Sequence, residues 1–189
     1  MNLNRSIILS SNSPRRQELL KALGFSFEVK IKNTEESFPD DMPCPGVAGY
    51  LAEKKAAVFS EEEIGESVLI TADTVVCLGN QILNKPADAK NAAAMLQQLS
   101  GKAHKVITGV CLRSADKQIA FSDETTVYFK PLTEEEIQHY IATCKPLDKA
   151  GAYGIQEWIG MMGIEKIEGS YYTVMGLPVH RLWDELKRF

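Results

Sequence analysis

The stretch from Val68 to Leu78 most constrains the fold. It is rich in Val, Ile and Thr, and Gly79-Asn80 followed by Ile82 and Leu83 predicts a strand that turns back through a hairpin. Such a strand is mostly buried. Asp73 falls within or beside it, and a carboxylate there needs a reason: it activates water, binds a divalent ion or caps a turn. The chain is long enough to enclose the strand, with 189 residues of which 44% are apolar.

Around that strand, helical and strand-like segments alternate. Ser6 to Ser10 reads as a short strand, followed by Ser13 as N-cap, Pro14 at the first helical position, and Leu19, Leu20 and Leu23 on one face before Gly24. A second strand is predicted near Phe27 to Ile31, then a surface loop with Pro39, Pro43 and Pro45, a helix from about Val47 to Phe59, and a solvated acidic loop at Glu61 to Glu63. A helix from Asp88 to Leu99 precedes two long antiparallel strands, His104 to Arg113 and Gln118 to Lys130. Thr133 with Glu136 forms a capping box that opens a helix to about Thr143. The glycine-rich, aromatic stretch Gly151 to Gly176 carries a strand near Ile164 to Ile167, and a final helix spans about Pro178 to Lys187. The expected class is α/β with a mixed sheet, as one domain over residues 1–189, because no polar linker divides the chain.

Charge excludes one class of partner. With 21 Lys+Arg against 25 Asp+Glu the formal net charge is -4, so no global basic field exists to hold a nucleic-acid polymer. No apolar run approaches the ~18 residues of a spanning helix, so a soluble, cytoplasmic protein without a membrane partner is expected. Cys44, Cys77, Cys111 and Cys144 form no C-x-x-C pair, and His104, His139 and His180 are isolated. The thiols are expected to be reduced and buried, and any metal should be a hard ion on oxygen ligands.

Arg15 and Arg16 fall in the first turn of the opening helix, where the macrodipole is positive and unpaired N–H groups already point outward. Two cations there are locally unfavourable. A bound phosphate resolves the conflict, accepting from the helix terminus, the Ser11 and Ser13 hydroxyls and both guanidinium groups. Asp73 has further charged company: Lys85 stands just past the hairpin, and Lys55 and the Glu35-Glu36 pair flank the preceding helix. The run Asp148-Lys149-Ala-Gly-Ala-Tyr-Gly-Ile-Gln156 is dense in glycine and alanine, which allows close backbone approach to a ligand, and Tyr153 and Gln156 offer an aromatic face and an amide. A glutamine amide donates and accepts side by side, which suits the N3–H and O4 edge of uracil or thymine.

These motifs together resemble the Maf family of nucleoside triphosphate pyrophosphatases: S-x-S-P-R-R-x-E-L-L at Ser11 to Leu20, A-D-T-V-V at Ala72 to Val76, K-P at Lys85-Pro86, D-K-A-G-A-Y-G-I-Q at Asp148 to Gln156, and G-S-Y…G-L-P at Gly169 to Pro178. The resemblance implies a mixed α/β structure of two lobes about a deep cleft, similar to inosine triphosphate pyrophosphatases. Arg15, Thr74 and Gln156 match the branch acting on dTTP and UTP rather than the one acting on methylated GTP. Ser10 replaces the alanine usual in the first motif, and Glu157-Trp158 stands where smaller residues often follow Gln156.

The implied reaction is hydrolysis of a pyrimidine nucleoside triphosphate to the monophosphate and pyrophosphate, as house-cleaning of non-canonical or excess nucleotides. The implied roles are Asp73 as general base, Lys55 and Lys85 as catalytic cations, and Ser11, Arg15, Arg16, Thr74 and Gln156 as substrate-binding residues. Glu36 and Asp73, with Glu35 as a further contributor, would hold Mg²⁺ or Mn²⁺. A homodimer is left open. Two alternatives stand beside this reading: a nucleotide-sensing regulator of septum formation or cell division, and a purine-directed house-cleaning pyrophosphatase.

Overall fold

A computed structural model describes residues 5–189, and the element order follows the predicted alternation. The chain runs β1 (Ile7–Ser10), α1 (Pro14–Ala22), β2 (Phe27–Val29), α2 (Cys44–Ala57), α3 (Glu61–Ile64), β3 (Val68–Leu78), β4 (Gln81–Leu83), α4 (Ala89–Leu99), β5 (Ala103–Arg113) and β6 (Gln118–Phe129). It continues through α5 (Glu134–Cys144), a 3₁₀ turn at Ala150–Ala152, α6 (Trp158–Gly163), β7 (Ile164–Glu168), α7 (Tyr171–Met175) and α8 (Val179–Leu186). Seven strands form one mixed sheet in the order β2-β1-β3-β5-β6-β7, with β4 paired to β3. β1 is parallel to both neighbours, Ile7 standing opposite Phe27 and Val68, whereas β4 on β3 and β7 on β6 are antiparallel. Ile7, Ile8 and Leu9 are all buried, as an inner parallel strand covered on both faces requires.

The chain packs as two compact units assembled from separate stretches. One comprises residues up to Asp73, Thr108–Asp123 and Gly176–Phe189; the other comprises Thr74–Ile107 and Glu124–Met175. The first closes its core with Ile8, Ala52, Ala56, Phe59, Ile64, Leu69 and Cys111. In the second, Leu83, Leu96, Leu99, Val127, Phe129 and Ile137 lie at the centre of a larger apolar cluster.

Several local readings are corrected. The proline-rich loop ends earlier than predicted: α2 starts at Cys44, and Pro45 sits in its first turn, where a missing N–H costs nothing. Glu61 to Glu63 is not a loop but α3, opened by a capping box in which Ser60 Oγ accepts from Glu63 N and Glu63 Oε2 accepts from Ser60 N. The short helices α6 and α7 were not expected from a glycine-rich stretch. Cys44 and Cys77 are each disulfide-bonded while Cys111 and Cys144 carry free thiols, so the expectation of reduced thiols fails at two positions. Spacing along a chain does not reveal which sulfurs become bonded.

Candidate active site

Helix α2 and strand β3 are tied together by side chains at matching intervals. Thr71 Oγ1 donates to the Ala52 carbonyl at 2.6 Å, and two residues further along the strand Asp73 Oδ1 receives the Lys55 ammonium at 2.5 Å. A two-residue step keeps one face of a strand and a three-residue step keeps one face of a helix, so the first bond sets the register of the second. Lys55 also reaches Glu36 Oε1 at 2.7 Å. The loop carrying Glu36 is fastened by the neighbouring lysine, since Lys54 Nζ donates to the carbonyl and hydroxyl of Ser37 at 2.9 and 2.8 Å. Asp73 is 9% exposed, Glu36 is exposed, and Glu35 is exposed beside it.

The segment between β1 and α1 meets the same strand. Ser11 is buried, and its hydroxyl accepts from Ser13 N at 3.2 Å and from Arg16 Nη1 at 3.3 Å. Ser13 holds the N-cap position, but its side chain makes no capping bond; the turn is closed by Ser11 instead. Arg16 also donates from Nη1 to the Ala72 carbonyl at 2.9 Å and from Nε to the Gly176 carbonyl at 2.8 Å. Desolvation lowers the Arg16 pKa, opposed by the nearby negative charge of Asp73 and reinforced by Arg15. Arg16 is thus anchored by the protein's own groups: two of its five N–H donors hold the Ala72 and Gly176 carbonyls, and a third reaches the Ser11 hydroxyl. Arg16→Ala should lower unfolding stability by about 1–3 kcal/mol, because buried carbonyls lose their donor. Urea titration without nucleotide checks this, and an unchanged midpoint would contradict it.

Thr74, Lys85 and Gln156 belong to the second unit. Lys85 follows Asn84, whose carbonyl accepts from Gly151 N at 3.3 Å, so the hairpin exit is joined to the Asp148-to-Gln156 segment. Gly151 and Ala152 both have positive φ, 68° and 60°, and a Cβ on Gly151 would stand 3.0 Å from Val76 Cγ1. Only glycine fits the first position, and alanine at the second carries local strain. Lys149 is 7% exposed yet paired with Asp148 at 2.7 Å and Glu157 at 3.0 Å. Gln156 is exposed. Thus the structure groups Ser11, Arg16, Glu36, Lys55 and Asp73 within one unit, and places Lys85 and Gln156 on two joined segments of the other.

Two residues escaped the sequence reading. Tyr140 donates its hydroxyl to Glu157 and accepts from Gly154 N at 3.0 Å. His104, which looks isolated in sequence, pairs its Nε2 with the Tyr153 hydroxyl at 2.7 Å, and its ring meets Phe129 and Tyr153 edge-on. Its Nδ1 is buried and has no hydrogen-bond partner among the described residues. A separation of 49 positions in sequence leaves no local signal for that pair.

Burial pushes the His104 pKa down to about 4. An unfolded histidine takes up a proton near pH 6.5, so stability is present above that pH and is lost as the pH falls from about 6.5 to about 4. The full loss is about 3 kcal/mol. His104→Gln should remove this part of the acid sensitivity, as read from unfolding free energies at pH 7 and pH 4.5. An equal loss in the variant and the unaltered protein would refute it.

Within the first unit, a carboxylate clasped by lysine and a part-buried arginine at a strand–helix turn bring an acid and two cations together. The model of the family described as Maf-like protein matches residues 6–189, and the chain belongs to that family. A relative from Phocaeicola vulgatus, named dTTP/UTP pyrophosphatase, is 50% identical over 96% of this chain and 95% of its own. Another of the same name from Parabacteroides distasonis is 48% identical over 97% and 95%. Among solved structures, the Staphylococcus aureus Ham1 protein aligns with 66% of this chain and 72% of its own, at 13% identity and a TM-score of 0.45. No helix among the described residues is long and apolar enough to cross a membrane.

Proposed function

We propose that this protein hydrolyses dTTP and UTP between the α and β phosphates, releasing the nucleoside monophosphate and pyrophosphate, in the cytoplasm where these nucleotides are used. The observation that carries the chemistry is the Asp73 carboxylate, held on β3 by Lys55 at 2.5 Å next to the backbone that Arg16 braces. The relatives' shared name supports the substrate. Asp73 accepts a proton from the attacking water. Lys55 orients that carboxylate and, with Lys85, neutralises charge on the triphosphate; Ser11, Arg15, Arg16 and Thr74 line its path. Positioning and charge neutralisation supply most of the catalysis in phosphoryl transfer, so an array of cations fits the task.

Glu36 and Asp73 are the residues that would hold Mg²⁺ or Mn²⁺. Both accept from one ammonium, so their carboxylates already face a shared cation position, and such oxygens suit hard divalent ions. No group of three His, Cys, Asp or Glu side chains able to hold a metal gathers among the described residues. Water and phosphate oxygens would complete the shell, as is common for Mg²⁺. When bound, the ion supplies further neutralisation of the triphosphate.

A nucleotide panel assayed for pyrophosphate release tests the reading. dTTP and UTP should be turned over much faster than CTP, whose N3 lone pair and exocyclic amine invert the pattern that Gln156 meets. Gln156→Ala should narrow the gap by lowering activity on the good substrates, each lost hydrogen bond costing about 1–3 kcal/mol. Nucleotide binding without pyrophosphate release would instead favour the sensing regulator, and faster turnover of purines would favour the purine-directed enzyme.

A further inference from the structure

Glu157 stands at the hub of a closed circuit. Its Oε2 accepts from the Tyr140 hydroxyl, and its Oε1 lies 3.0 Å from the buried Lys149 ammonium. Tyr140 Oη accepts from Gly154 N at 3.0 Å, and the Gly154 carbonyl accepts from Glu157 N, also at 3.0 Å. Gly154 is thereby held at both its N–H and its carbonyl. A Cβ built on Gly154 would lie 3.0 Å from Glu157 Oε2 and 3.2 Å from Gln156 Nε2, so the carboxylate and the amide nitrogen crowd the same side of that glycine.

A carboxylate attracts an amide NH₂ and repels an amide carbonyl, so an amide beside it is biased to one of its two flipped orientations. We propose that Glu157 is a positioning residue for base selection: it draws Gln156 Nε2 inward and leaves Oε1 facing outward as an acceptor. One amide hydrogen then points toward the carboxylate and the other remains for O4, while Oε1 takes N3–H of uracil or thymine. Cytosine offers a lone pair at N3 and meets repulsion. Tyr140 and Lys149, both buried, keep the carboxylate from turning away. The inference rests on the reading that Gln156 meets the base.

The test is kcat/KM for UTP and CTP in the unaltered protein, in Glu157→Gln and in Tyr140→Phe. Glu157→Gln keeps the shape and an acceptor for Tyr140 but removes the charge. Its UTP/CTP ratio should fall about tenfold, the equivalent of one discriminating hydrogen bond, chiefly through a higher KM for UTP with a smaller change in kcat. Tyr140→Phe, which frees one side of the carboxylate, should lower the ratio in the same direction and serves if Glu157→Gln does not fold. A parallel loss on both nucleotides with the ratio preserved would mark a merely structural role and overturn the inference alone. An unaltered protein that does not distinguish UTP from CTP would overturn the inference together with the Gln156 reading.

Discussion

Asp73→Asn should lower kcat for pyrophosphate release from UTP by about 10²- to 10⁴-fold while nucleotide affinity is retained or improved. The substitution preserves the shape of the side chain but removes its capacity to take a proton from water. It also removes a negative charge from the side on which a polyphosphate would arrive. Lys55 does not lose its place, because Glu36 still accepts from it at 2.7 Å. Single-turnover release of pyrophosphate together with calorimetric titration of a nucleotide separates the two effects. Near-normal turnover would remove Asp73 from the mechanism, and loss of binding with turnover in proportion would make it a ligand-holding residue rather than a base.

Gly109→Ala should cost at least about 3 kcal/mol of stability, at the severe end of overpacking. Gly109 lies on β5 beneath α2, and a Cβ there would fall 2.3 Å from both the carbonyl carbon and oxygen of Ala48 and 2.4 Å from Gly49 N. Those atoms are helix backbone, so no side-chain rotation relieves the clash. The helix must lift from the sheet as a body, and it carries Lys55. Activity should therefore fall in whatever fraction remains folded. Gly46, on the same helix, is the contrast: a Cβ there would meet Met42 Cγ at 3.6 Å and Sδ at 3.9 Å, ordinary contacts with a flexible side chain, so Gly46→Ala should leave stability unchanged or raise it by up to about 1 kcal/mol through the gain in helix propensity. Denaturant midpoints of the two variants check both statements. Equal stabilities would show that α2 does not sit on the sheet through Gly109.

Much of the architecture is legible in the sequence because its signals are local. β3 announces itself through its Val, Ile and Thr content, its hairpin through Gly79-Asn80, and α5 through the Thr133–Glu136 capping box, which the structure retains with both reciprocal bonds. Where local signals compete, the reading fails in an understandable direction. Pro45 reads as a helix breaker but occupies the first turn of α2, and three consecutive glutamates read as solvated loop until Glu63 is seen to cap its own helix. Arg16, Ser11, Lys55, Glu36 and Asp73 are each legible in the sequence as polar or charged residues of short motifs, and the resemblance to the family implies their roles.

What the list could not contain is which atoms each residue satisfies. Arg16 looked electrostatically misplaced at a helix N-terminus, and that is correct for a helix considered alone. The tertiary structure answers it with the carbonyls of Ala72 and Gly176, 56 and 160 positions away. His104 and Tyr153, Tyr140 and Glu157, Lys55 and Asp73 likewise meet only because strands and helices distant in sequence are packed side by side. Propensity, capping and turn chemistry act over a few residues, so the kind and order of most elements can be read locally, α3, α6 and α7 excepted. Which buried polar groups pair with which is settled by packing, because a donor removed from water must find an acceptor wherever the fold brings one.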